Sequence, residues 1–134
     1  MTGQTDQRAH AASSPHGKTV LTELSPLSRA LRRAIPEVYQ GFAELSKAAF
    51  ADGALDRRTK ELIALAVGVV EGCDGCIASH AQSAVRAGAT RQEAAEAIGV
   101  TFLMHGGPAT VHGARAYEAF CEFADALEAG ETPA

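Results

Sequence analysis

The stretch 61-ELIALAVGVVEGCDGCIASHAQSAVRA-87 decides the fold. Its first part, Leu62 to Val70, is apolar all round, whereas a surface helix would carry a polar stripe. Such a helix has to be covered on most sides. The run 71-EGCDG-75 then breaks it, with Gly72 and Gly75 supplying backbone freedom. Helical periodicity resumes in 76-CIASHAQSAVRA-87 and ends at Gly88, a residue type suited to the position just past a helix. The spacing predicts two helices joined by a tight turn, with Cys73 and Cys76 at the start of the second.

Upstream, Leu31, Ile35, Val38, Phe42 and Leu45 recur at three- or four-residue intervals, the spacing of one apolar helix face. Pro36 has to begin a new segment there, so a helix is expected from about Glu37 to Phe50. The turn 51-ADGALD-56 follows, and Asp56 is placed to cap a helix from about Arg57 to Val70. Downstream, Thr90 and Glu93 have capping-box spacing and open a helix through about Met104. The break 105-HGGP-108 ends it, and Pro108 suits the first turn of a last helix. Val111, Ala114, Tyr117, Phe120 and Phe123 lie on related faces of that helix, to about Leu127. No segment alternates with period two. The expected fold is all-α, one domain of five or six helices over residues 21–128, after a disordered polar leader (1–20) and before a frayed tail (129–134).

With 134 residues and 46% hydrophobic content the chain suffices for one compact domain. Twelve Lys and Arg against sixteen Asp and Glu give a formal charge of −4, which argues against a nucleic-acid-binding surface or a strongly basic membrane face. Arg29, Arg32 and Arg33 read as a solvated helix face. The leader lacks the apolar core of a secretory signal, and Leu62–Val70 is far short of the ~20 residues that span a bilayer. Three cysteines without an export signal make a structural disulfide framework unexpected and point to a cytoplasmic setting. A chain this short has few helices with which to surround Leu62–Val70, so a subunit interface is expected to supply the missing cover.

Cys73, Cys76 and His80 admit several readings. Covalent haem attachment needs histidine directly after the second cysteine, where Ile77 stands. Structural zinc needs about four ligands; these residues supply three, and His105 or His112 would have to be the fourth. Two small buried helix residues remain the plain structural alternative. Redox chemistry fits best, because positions three and four apart share a helix face and a helix N-terminus stabilises a thiolate. The thioredoxin motif has the same spacing but a βαβ setting that is missing here. Glu61 and Glu71 compete as the carboxylate partner of His80, and taken alone Glu61 reads as a solvated helix residue. Cys121, between Phe120 and Phe123, reads as core. His105 and His112 receive no role.

The longer stretch 61-ELIALAVGVVEGCDGCIASHAQSAVRAGATRQEAAEAI-98 resembles the core of the alkylhydroperoxidase D-like, carboxymuconolactone decarboxylase superfamily, and the likeness covers about residues 37–124. The redox branch of that superfamily has a glutamate, a CxxC pair twelve residues later and a histidine four after the second cysteine. Glu61, Cys73, Cys76 and His80 reproduce this spacing. The resemblance implies a hydroperoxide reductase in which His80, polarised by Glu61, takes the Cys76 proton. Cys76 becomes a sulfenic acid, and Cys73 resolves it to a disulfide. An external dithiol, a lipoyl domain or thioredoxin-like protein, then reduces the pair, and no bound cofactor or metal is required. It also implies a homo-oligomer, trimer or hexamer, as in single-repeat members, and leaves Glu71 a bystander. Gly75 departs from the best-known peroxidase of the family, which has a second histidine there. Helix-dipole reasoning alone favours Cys73 as the reactive thiol. A lactone decarboxylase and a non-enzymatic thiol sensor are the rival readings.

Overall fold

In a computed structural model of the chain, residues 14–131 are described, and they form six helices with no strand among them. In chain order these are α1 (Lys18–Ala34), α2 (Pro36–Phe50), α3 (Arg57–Glu71), α4 (Asp74–Arg86), α5 (Arg91–His105) and α6 (Gly107–Glu128). The local signals hold where they are strongest. Asp56 accepts a hydrogen bond from the Thr59 N–H at 2.8 Å and opens α3. Thr90 and Glu93 form the reciprocal capping box that opens α5. Gly88, at φ 91°, follows the end of α4.

Helices α3 to α6 form the packed body. Its core runs through Leu65 and Val69 of α3, Ile77 and Val85 of α4, Ile98 of α5 and Phe120 and Phe123 of α6. Alanines fill the remaining contacts (Ala81, Ala84, Ala94, Ala109, Ala116, Ala119), so the helices approach closely. At Gly113 an added Cβ would lie 2.7 Å from Ile98 and 3.0 Å from Phe102, which sets the α5–α6 spacing. Truncating Phe120, fully buried, would cost about 3–5 kcal/mol from lost transfer energy and the cavity left behind.

Within one chain helix α3 is covered only in part, as expected of so short a chain: Leu65, Gly68 and Val69 are buried, whereas Ile63 and Val67, one turn apart, are 50% and 55% exposed. One expectation is corrected. The first helix starts at Lys18, inside the stretch read as leader, and Pro26 lies within it. The first N–H of this helix is capped from a distance, since Glu122 on α6 accepts from the Lys18 N–H at 2.6 Å and also from the Ser14 N–H ahead of the helix at 3.0 Å. Gly17 permits this approach, because a Cβ there would lie 2.5 Å from the Glu122 carboxylate. Residues 1–13 of the expected leader and 132–134 of the expected tail lie outside the described residues. Among the described residues no helix is long and apolar enough to cross a membrane.

Helices α1 and α2 contrast with the body. Neither buries a residue, and Leu27, Leu31, Val38, Phe42 and Leu45 are 52–66% exposed.

Candidate active site

The turn between α3 and α4 is set by backbone bonding. The Cys73 N–H donates to the Gly68 carbonyl (3.1 Å) and the Gly72 N–H to the Val69 carbonyl (3.2 Å), the paired bonds of a Schellman ending. Gly72 takes the left-handed conformation this requires, at φ 63°. Cys73 thereby becomes the N-cap of α4, its Sγ accepting from the Cys76 N–H at 3.2 Å. Cys73 and Cys76 are joined by a disulfide, with Cα atoms 5.2 Å apart. One helical turn beyond Cys76, on the same face, stands His80.

Glu61 reaches the site from α3. It is not the solvated residue that the sequence alone suggests: it is 2% exposed, one of the largest fully buried side chains. A buried carboxylate is tolerated only when paired and hydrogen-bonded. Here the His80 Nδ1 lies 2.8 Å from Glu61 Oε2, and an Arg57 guanidinium nitrogen lies 3.4 Å from Oε1. Where Glu61 is a carboxylate it accepts from His80 Nδ1, which leaves Nε2 as the other ring nitrogen, facing away from that bond. Phe50, the last residue of α2, packs its ring 5.6 Å from that of His80 and also lies under the Arg57 guanidinium at 5.8 Å. Glu71 is exposed.

The four residues singled out from the sequence stand as two pairs: Cys73 bonded to Cys76 at the start of α4, and His80, one turn further along that helix, bonded to Glu61 of α3. Three neighbours were given no part in this site by the sequence reading. Arg57 was findable, since it stands four residues before Glu61, the ion-pair spacing of a helix. Phe50 carries no such signal. His112 comes from α6, and its ring lies against Gly72, where Nε2 would be 3.0 Å from an added Cβ; its Nδ1 is buried without a hydrogen-bond partner among the described residues. His105 is exposed at the end of α5. Among the described residues no three histidines, cysteines or carboxylates converge as metal ligands.

The third cysteine is a contrast. Cys121 is free and half-buried in the middle of α6. Burial pushes its thiol up, against the smaller opposing effects of Tyr117 and Arg91.

Comparison with known proteins bears on what this arrangement does. The sequence model of the carboxymuconolactone decarboxylase family matches residues 36–119. An uncharacterised protein of Cupriavidus necator is 40% identical over 112 residues, 84% of this chain and 96% of that one. Among solved structures, a carboxymuconolactone decarboxylase family protein from Legionella pneumophila is 41% identical, with a TM-score of 0.79 over 83% of this chain and 99% of that one. One from Thermotoga maritima, with a suggested part in the antioxidative response, is 30% identical, with a TM-score of 0.72 over 86% and 97%.

Proposed function

The chain belongs to the carboxymuconolactone decarboxylase family, and within it we propose that it acts as a thiol-dependent hydroperoxide reductase. The observation that carries this reading is the buried Glu61 bonded to His80 at 2.8 Å, on the helix that begins with the Cys73–Cys76 pair. In the reduced chain, Nε2 of His80 takes the Cys76 proton as general base, while Glu61 holds the ring and balances the imidazolium that forms. The Cys76 thiolate attacks the distal peroxide oxygen. The O–O bond breaks, the alcohol leaves with a proton, and Cys76 is oxidised to a sulfenic acid. The Cys73 thiol then attacks that sulfur, releasing water and closing the disulfide. An external dithiol, a lipoyl domain or a thioredoxin-like protein, restores the pair by exchange and is itself oxidised. The antioxidative role suggested for the Thermotoga maritima relative points the same way.

The same reading takes the chain as a homo-oligomer of at least three copies. The Ile63–Val67 edge of α3 and the apolar faces of α1 and α2 would find their cover there.

The test is single-turnover peroxide consumption by the reduced chain, followed by addition of a dithiol. One peroxide consumed per chain, with sustained turnover once dithiol is present, is the expected result. A disulfide that forms only by exchange, with no peroxide consumed, would make the chain a thiol sensor instead.

A further inference from the structure

A groove of about 620 Å³ runs between α1 and the C-terminal ends of α4 and α6. This is within the roughly 300–1,000 Å³ of small-molecule sites. Its floor is apolar: Leu21 from α1, Val85 from α4, and Phe123 and Ala126 from α6. Val85 and Phe123 also belong to the core, at 5% and 8% exposure, so the floor is held by the packed body.

The rim is charged and unbalanced. Lys18, Arg29 and Arg86 line it, and Glu131 is the only carboxylate among the lining residues. Arg29 is bonded to the Ser25 hydroxyl at 3.0 Å, and neither it, Arg86 nor the Lys18 ammonium pairs with a carboxylate among the described residues. In a chain of formal charge −4, three cations around an apolar floor are a local excess that favours an anionic head on an apolar body.

The groove is separate from the redox site and from the apolar stripe of α1. His80 and Gln82 stand about 200° apart around α4, and it is Gln82 that lines the groove. On α1, Leu21, Ser25 and Arg29 face the groove, whereas Leu27 and Leu31 project roughly half a turn away. The exposed apolar stripe of α1 thus faces away from the groove.

We propose that the groove binds a monocarboxylate with a medium or long acyl chain. The chain lies along Leu21, Val85, Phe123 and Ala126, and the carboxylate is held at the rim by the guanidinium groups of Arg29 and Arg86. Guanidinium suits this role because its fork of donors matches the two oxygens of a carboxylate.

Isothermal titration of the full chain with decanoate tests this, with decanol as the uncharged comparator. Decanoate binds once per chain and at least about tenfold more tightly than decanol, since a hydrogen bond to a charged group is worth a factor of that order. Arg29→Gln and Arg86→Gln, both at exposed positions, each weaken decanoate about tenfold or more and leave decanol unchanged. Ala126→Trp, which fills the half-buried floor, removes binding of both. Equal affinity for the two probes, or decanoate binding unaffected by the arginine changes, would overturn the proposal. So would absence of binding by the parent chain together with a change of oligomeric state in Ala126→Trp, which would assign the groove to a second copy.

Discussion

Cys73 and Cys76 begin a helix, whereas Cys121 lies in the middle of one. At the start of α4, backbone N–H groups have no helical partner, and one of them donates to the Cys73 sulfur. A negative sulfur is favoured there, a partner thiol stands within bonding reach, and a histidine held by a buried carboxylate follows one turn later. Within α6, Cys121 has no second thiol bonded to it, and burial pushes its thiol up. The difference teaches that chemistry here comes from position along a helix and from what the next helix brings, and not from cysteine as such.

Substitutions sharpen or break that contrast. The largest effect is expected for Cys76→Ser, in which dithiol-dependent peroxide consumption falls to the uncatalysed rate. His80→Gln keeps both thiols but slows the first step by the ~10²–10⁴-fold of a lost general base, and Glu61→Gln slows it less; stopped-flow peroxide consumption measures both. Arg57→Gln removes an ion pair whose arginine is 60% exposed, so the rate drops by at most about fivefold, the scale of a screened pair of up to ~1 kcal/mol. Cys121→Ser leaves turnover unchanged. In the reduced wild-type chain, Cys121 is the slowest of the three thiols to be alkylated at neutral pH, because a raised thiol holds less thiolate there, and its labelling rises only as the solution is made alkaline. Mass mapping of a timed alkylation reads this, and equal labelling of all three would erase the contrast.

What was legible in the sequence was mostly local. The Asp56 cap, the Thr90–Glu93 box and the break at Gly72 involve residues within a few positions of one another, so side-chain chemistry and spacing suffice to find them. The spacing of Glu61, Cys73, Cys76 and His80 was equally legible, but the burial of Glu61 was not. It depends on how α3 packs within the body, and a glutamate at the edge of an apolar run has no local mark of that. The start of helix α1 was read as leader because the carboxylate that caps it is Glu122, 104 residues beyond Lys18. The apolar surface of α3 was legible as more than so short a chain can cover, and Ile63 and Val67 are indeed 50% and 55% exposed. His112 reached Gly72 through the packing of α6, which no pattern within its own helix announces.

The central claim is the division of labour between two thiols three residues apart, with His80 selecting Cys76. Trapping of sulfenic acid in Cys73→Ser and Cys76→Ser after one equivalent of peroxide tests it most directly. Cys73→Ser should give one trappable sulfenic acid per chain and then stall, since the resolving thiol is gone, while Cys76→Ser should give none. If Cys76→Ser retains the trappable species and Cys73→Ser loses it, the thiol at the helix cap is the nucleophile, and selection by His80 is contradicted.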